Sequence, residues 1–417
     1  MTRPKRTRGK VLEELQAVSD EKIILQAAVD RHRLQQLQRE LDGSQIERAT
    51  KKAKKSNGKA MKLKYFKYLA DNNIVDISNS SADLHMQGFN NATKTRMSNP
   101  VLLSDEFDRN IEKIVKGFKK IKSIPNLKLT LNICEMHKAR GEDEKVVHRI
   151  YLHILRLHAE KPWVFSGENL SRYSEFDLQI KFWGYVFETY LGRRKEVVLQ
   201  WGDTMSNTCK KISLRFKLDL RLLILKDNDM IADGGTGEFA RKVTKAKLYA
   251  DTLKSVVTTK CHLNGFLMST PYLSEKEVPN VKFPVIQIMG LQGRLSALRI
   301  KKKKVYVLES ICSFRFPNTL PQIKSGDIEQ LVNALTITEN MIIELERLYN
   351  DGQSSNDENA MTRVLNELPR RKKLKLENWV TDVVWDKADE EDEGGEDAED
   401  ENDEDTDDES QKSEEND

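Results

Sequence analysis

The sequence has only four cysteines, Cys134, Cys209, Cys261 and Cys312, and no two of them stand in a CxxC spacing. That excludes a thiolate zinc module of the usual spacing and offers no disulfide framework. No run of about 18 apolar residues occurs, so no helical membrane span is expected. The opening stretch MTRPKRTRGK lacks the apolar segment of a secretory signal. Several catalytic signatures are also missing. The glycine-rich run Gly234–Gly235–Thr236–Gly237 is not followed by the GKS or GKT of a phosphate loop. Neither GxSxG nor HExxH is present. Asp227, Asp229 and Asp233 do not make a calcium loop, because Ile231 stands where an oxygen ligand is needed. His148, His153 and His158 recur every five residues and cannot share a helix face, which argues against a helical metal site. The expectation is a soluble intracellular protein.

Charge is abundant and unevenly placed. Charged residues make up 32% of the chain and the net charge is only +3. Residues 386–417 hold 20 acidic and 2 basic residues, a net of −18, so residues 1–385 carry +21. A basic body of that size favours a polyanionic partner, most simply DNA. The acidic tail cannot bury enough apolar surface to fold and is expected to be disordered. It suits a histone or another basic partner.

Four regions follow from pattern and composition. Residues 1–103 read as a basic, partly helical or disordered N-terminal region. Within it Val11–Leu41 looks helical, with coiled-coil spacing at Leu34, Leu37 and Leu41. Arg48–Lys64 holds eight Lys or Arg, which reads as a nuclear address or nucleic-acid patch and equally as a solvated helix face. Residues 74–103, rich in Asn, Ser and Asp, read as a linker. Residues 104–161 are a helical region. Asp105–Ile121 and Asp143–His158 are amphipathic within it. Residues 162–350 form an α/β core. Residues 351–417 are the tail, with a basic cluster Arg370–Arg371–Lys372–Lys373, then NWVTDVVWDK, then acid. Trp379 and Trp385 there suit either a docking motif or packing back on the core. The fold class expected is α+β: a mixed central sheet flanked by helices.

Within the core, Ser174 caps a helix to Leu191 whose apolar stripe is Phe176, Ile180, Trp183, Phe187 and Leu191. Leu214, Phe216, Leu218, Leu220 and Leu222 alternate as a strand, leaving Lys217, Asp219 and Arg221 on its other face. Asn228 and Asp229 turn the chain back, and the returning strand ends with Glu238. Asp219 and Glu238 then lie side by side, a common way to hold a hard divalent cation. The same pattern also fits a solvated sheet face, with Asp219 paired to Arg221 or a lysine. Thr244–Phe266 is a helix, stopped at Gly265, that carries Lys247, Asp251, Lys254 and Thr258 on one face. Pro284 leads into another strand, Arg299–Phe316 gives one or two more with a basic tip at Lys301–Lys304, and Asp327–Tyr349 closes the fold as a helix.

This order of elements, with Asp219 and Glu238, resembles the PD-(D/E)xK (restriction-endonuclease-like) nuclease superfamily. The resemblance implies Mg²⁺ or Mn²⁺ held by the Asp and the Glu, and a Lys two residues after the Glu that orients water. Here that position is Ala240. Lys242 has the strand parity of Glu238, and Lys247 or Lys254 would reach in from the helix, a migration known in that superfamily. Glu188, beside the apolar stripe, is a possible further metal ligand and equally the exposed edge of a core helix. Residues 160–350 also resemble uncharacterised, repeatedly duplicated proteins of mucor-like moulds. The likeness lies in Trp201–Gly202–Asp203–Thr204–Met205–Ser206, in KLDLRLLI around Asp219, in GEFAR around Glu238, and in the helix bearing Asp251, Lys254 and Lys260.

The functional expectation is a nuclear, nucleic-acid-acting protein with a nuclease-like core. Asp219, Glu238, Lys242, Lys247 and Lys254 are its candidate catalytic residues. Asp219, Glu238 and Glu188 are its candidate metal ligands. The alternatives are a catalytically inactive chromatin-binding protein on the same fold and a scaffold with a histone-binding tail.

Overall fold

The computed structural model describes residues 53–78, 126–226, 229–242, 244–353 and 372–386. The Val11–Leu41 and Asp105–Ile121 helices, the turn at Asp227–Asn228 and residues 387–417 lie outside the described residues. The chain divides into two units, Met1–Val383 and Val384–Asp417. Only Val384–Asp386 of the second is described, without helix or strand.

The first unit is α+β, a mixed sheet with helices on both faces. In chain order the helices are α1 (Ala53–Asp71), α2 (Leu127–Met136), α3 (Glu142–Glu160), α4 (Gly167–Arg172), α5 (Glu175–Leu178), α6 (Gly184–Tyr190), α7 (Asn207–Lys211), α8 (Lys245–Ser269), α9 (Leu320–Ser325) and α10 (Asp327–Gln353). The strands are β1 (Ile74–Asp76), β2 (Val197–Thr204), β3 (Leu218–Lys226), β4 (Asp229–Ala240), β5 (Lys282–Met289), β6 (Gln292–Lys302) and β7 (Val305–Arg315). The sheet order is β1-β7-β6-β5-β4-β3-β2. Strands β2, β3 and β4 form an antiparallel meander. Helix α8 then carries the chain over to β5, which runs parallel to β4. Strands β6 and β7 continue antiparallel, and β1 closes the far edge parallel to β7.

Alternation in β3 sets the two faces. Leu218, Leu220, Leu222 and Ile224 are all completely buried on one of them. The rings of Trp201, Phe239 and Phe187 meet on that side, and Tyr190 of α6 bonds Thr336 of α10 there. Helix α8 lies on the other face, where Thr259 bonds Thr236, and α1 packs on α8. The glycine run belongs to β4. A Cβ on Gly235 would stand 2.8 Å from Cγ of Pro284, so close strand packing accounts for that glycine without any phosphate loop.

Several expectations are corrected. Helix α1 lies in the region read as basic and partly helical, whereas residues 74–76, read as the start of a linker, are an edge strand of the sheet. Tyr65, Phe66, Tyr68 and Leu69 of α1 are buried, and Tyr65 donates to Asp76 at 2.7 Å. The Ser174-capped helix is not continuous: a π turn spans Gln179–Trp183 between α5 and α6. One extra residue in that turn rotates the helix face. Phe176 and Ile180 are therefore 67% and 61% exposed, while Leu178 and Phe182 take their place in the core. Helix α8 passes through Gly265 and ends at Ser269. The three histidines go separate ways: His148 to the Cys134 carbonyl, His153 stacked on Tyr185, His158 to the Pro317 carbonyl.

Of the two readings of the tryptophan segment, packing on the core holds for Trp379. It is buried, and its carbonyl accepts the Lys304 N–H at 2.9 Å. The fully buried Lys260 donates to the Asp382 carbonyl at 2.6 Å and to Asn72 Oδ1 at 3.0 Å. Its ammonium also lies 5.0 Å from the Tyr306 ring centre. One buried lysine thereby joins α8 to both ends of the described chain, and burial lowers its pKa to about 7.

Candidate functional site

Asp219 and Glu238 share the sheet face covered by α8. Leu220 pairs with Gly237 across the antiparallel β3–β4 ladder, so the next residues outward, Asp219 and Glu238, are neighbours. Asp219 is half-buried, and its Oδ2 accepts the Phe239 N–H at 2.7 Å. That bond turns the carboxylate toward the end of β4. Glu238 is 1% exposed, and Lys254 Nζ sits 2.6 Å from its Oε2.

Helix α8 supplies the roof. Thr244 caps its start by accepting the Lys247 N–H. Lys247, Asp251 and Lys254 are spaced four and three residues apart and face the sheet together. Lys247 Nζ lies 3.6 Å from Asp251 Oδ1 and 3.8 Å from Glu175 Oε1. Glu175 opens α5 under a capping box made by Ser174 and Asp177. Its Oε1 also accepts the Arg241 N–H at 3.3 Å. Asp251 is 4% exposed.

Four carboxylates (Glu175, Asp219, Glu238, Asp251) thus meet two ammonium groups (Lys247, Lys254). With all six ionised, the cluster holds two uncompensated negative charges. Burial, and then Asp219 and Asp251, push the Glu238 carboxyl well above its usual range, against the pull of Lys254. Burial likewise raises Asp251 to about 7, opposed by Lys247 and Lys254. Desolvation works against the Lys254 ammonium, but Glu238, Asp219 and Asp251 outweigh it and keep it charged. The Lys254 ammonium, 2.6 Å from Glu238 Oε2, favours the ionised form of Glu238, so the cluster takes up its proton chiefly at Asp251. Glu238 Oε1 and Asp251 Oδ2 are buried and have no hydrogen-bond partner. Such oxygens are costly to bury and are sites for a cation or a proton. Among the described residues, no three His, Cys, Asp or Glu side chains already converge as an ion-holding group.

The remaining candidates fall outside the cluster. Glu188 is exposed on α6 and accepts the Trp201 indole N–H at 2.6 Å. Trp201 pairs with Leu220, so Glu188 belongs to the opposite face of the sheet. Lys242 is exposed beyond the end of β4. Arg221 does not pair with Asp219. It pairs with buried Asp233 at 2.8 Å through Nε, beside Ser206 and His262, a separate structural network deeper on the same face. The sequence reading placed Asp251 on the right helix face but did not count it, or Glu175, among the site residues. The signal for Asp251 was its spacing from both lysines, and for Glu175 its place directly after a helix cap.

No family model matches the chain, and neither does any curated protein or solved structure.

Proposed function

We propose that this protein acts on nucleic acid through a nuclease-like core that hydrolyses phosphodiesters with a divalent cation. The observation that carries the reading is the excess of carboxylates over ammonium groups in one cluster, four against two, with two partnerless buried carboxylate oxygens, built by β3, β4, α5 and α8. Support also comes from the arrangement of helix, three-stranded meander, crossover helix and parallel strand that surrounds it.

In this reading Asp219 and Glu238 hold Mg²⁺ or Mn²⁺. Two protein carboxylates suffice for such an ion when phosphate oxygens and water complete its shell. A bound ion lowers the pKa of water and polarises the phosphoryl oxygen. Lys254 Nζ, fixed on Glu238, orients the attacking water and takes the part of the strand lysine that Ala240 replaces. Lys247 holds Asp251 and Glu175 together across the entrance. Asp251, raised to about 7, holds a proton at Oδ2 for the leaving oxygen.

The test is a thermal melt with a cleavage assay. Saturating Mn²⁺ is expected to raise the melting temperature by several degrees, since binding worth about 2–3 kcal/mol shifts a chain of this size that far. Asp219→Asn and Glu238→Gln should each remove that rise and any cleavage without unfolding the protein. A wild-type protein indifferent to Mn²⁺ and inert on DNA and RNA would sink the catalytic reading.

A second reading is a catalytically silent nucleic-acid or chromatin binder. It is favoured by Ala240 and by the 2.6 Å contact that already neutralises Glu238 with Lys254. Under either reading we place the protein in the nucleus, on the strength of the basic clusters at Lys51–Lys64 and Arg370–Lys373.

A further inference from the structure

Two adjoining cavities open at the end of the sheet where β4, β5 and β7 finish. The first, about 320 Å³, is lined by Leu248, Gln287, Arg294, Ser313 and Arg315 among others. The second, about 250 Å³, shares Met289, Gln292 and Arg315 with it and adds Arg241. Three arginines line these walls, and neither lining contains an aspartate or glutamate. The remaining polar groups are amides and hydroxyls, including Gln287, Gln322 and Asn318.

Register connects the cavities to the carboxylates. Glu238 pairs with Gln287, Gln287 with Arg294, and Arg294 with Ser313. Directly paired residues point to the same face, so acid, amide, arginine and hydroxyl form one transverse row. With strands about 4.8 Å apart, Arg294 starts about 10 Å from Glu238, within the reach of a few nucleotides. Each arginine is held in place by one group and keeps other donors for a ligand. Arg294 donates to the Ser78 carbonyl and Arg241 to the Ser171 carbonyl. Arg315 Nε lies 3.3 Å from Asp327. Gln287 is fixed too: its amide donates to the Leu248 carbonyl at 3.1 Å and its oxygen accepts from Thr252 at 3.0 Å.

We propose that Arg241, Arg294 and Arg315 line a subsite that binds the backbone phosphates of a nucleic-acid strand and leads that strand to the carboxylate cluster. Guanidinium groups suit this task because each presents a planar fork of donors to phosphate oxygens. Concave walls of this volume fit a single strand better than an intact duplex, which needs an open face. The inference rests on the nucleic-acid reading above, but not on catalysis.

The experiment measures anisotropy of a labelled single-stranded 12-nucleotide DNA on the full chain, in EDTA, across a salt series. Arg241→Gln/Arg294→Gln/Arg315→Gln should weaken binding about tenfold or more and flatten the salt slope by about two units, at about 0.7 per phosphate contact. Lys195→Gln/Lys303→Gln/Lys304→Gln removes the same charge from exposed sites at the opposite end of the strands. It should change affinity less than about twofold. Equal loss in both triple variants, no loss in the arginine triple, or no binding by the wild type would overturn the subsite. Arg241 is exposed, so Arg241→Gln alone, which leaves the half-buried Arg294 untouched, keeps the test valid if the triple variant melts early. A duplex that binds as tightly as the single strand, with the same arginine dependence, would overturn the single-strand assignment. Because binding is read in EDTA, it is independent of cleavage: intact arginine-dependent binding there, with no cleavage in the separate Mn²⁺ assay, would fell only the catalytic reading.

Discussion

At the scale of one residue, Asp251 sets a pH dependence with a definite sign. Its folded pKa is raised from 3.8 to about 7 by burial, so the folded chain binds this proton more tightly than the unfolded chain. The stabilisation is fully present below about pH 4 and is lost as pH rises toward 7. His153 works the other way, since burial lowers it from 6.5 to about 4. The clean measurement is therefore the difference between wild type and Asp251→Asn in metal-free buffer. Below about pH 4 the two should have similar stability. By pH 8 the wild type should be the less stable by about 2–4 kcal/mol, at about 1.4 kcal/mol per unit of pKa. Denaturant melts at both pH values decide it, and a constant difference would mean that Lys247 and Lys254 already neutralise the charge.

At the scale of elements, α8 makes the next test. Gly265 lies inside it because Thr208 of α7 presses against it: an added Cβ would stand 2.7 Å from Thr208 Cγ2. Gly265→Ala should destabilise by about 1–3 kcal/mol despite the better helix propensity of alanine. With Thr208→Ser removing the offending methyl, the same change should become neutral or stabilising by up to about 1 kcal/mol. That close approach was invisible in the sequence, where a glycine near a helix end reads as a stop. The same limit shows in the apolar stripe of the Ser174 helix. A period of 3.6 residues placed Phe176 and Ile180 in the core, and the π turn put them outside it. Strand alternation was more legible. The Leu218–Leu222 part of the alternating face, the Lys301–Lys304 tip and the pairing of Asp219 with Glu238 followed from a period of two and a turn, although Leu214 and Phe216 are buried ahead of the strand rather than in it. The site was legible where its residues share an element or adjacent strands. It was not legible where α5 delivers Glu175 from 44 residues before Asp219, because no local pattern encodes that meeting.

At the scale of the molecule, the tail has two parts with different expected roles. Residues 372–383 belong to the folded unit through Leu374, Trp379, Thr381 and Asp382. Ending the chain after Gln353 should lower the melting temperature markedly, because Lys260, Asn264 and Tyr306 lose partners in buried or half-buried surroundings. Ending it after Asp386 should leave the melting temperature nearly unchanged. The second truncation should instead tighten binding to DNA, since it removes most of a −18 segment that competes with nucleic acid for a +21 body. Equal affinities with and without residues 387–417 would remove that role for the tail. Neutralising Lys51–Lys64 together with Arg370–Lys373 should release a fluorescent fusion from the nucleus. A wild-type fusion that stays in the cytoplasm would refute the address.

The meeting of Asn72, Lys260 and Asp382 at one ammonium group also orders events during synthesis. Helix α1 leaves the ribosome first, with Tyr65 and Phe66 needing the Tyr249 ring as partner. At about 5–20 residues per second that partner follows on the order of ten to forty seconds later. Strand β1 waits longer still for β7, and the Lys260 ammonium has its full set of acceptors only when residue 382 has been made. Aromatic surface of α1 is exposed throughout that interval, so the packing of α1 on α8 is completed only after α8 has been made.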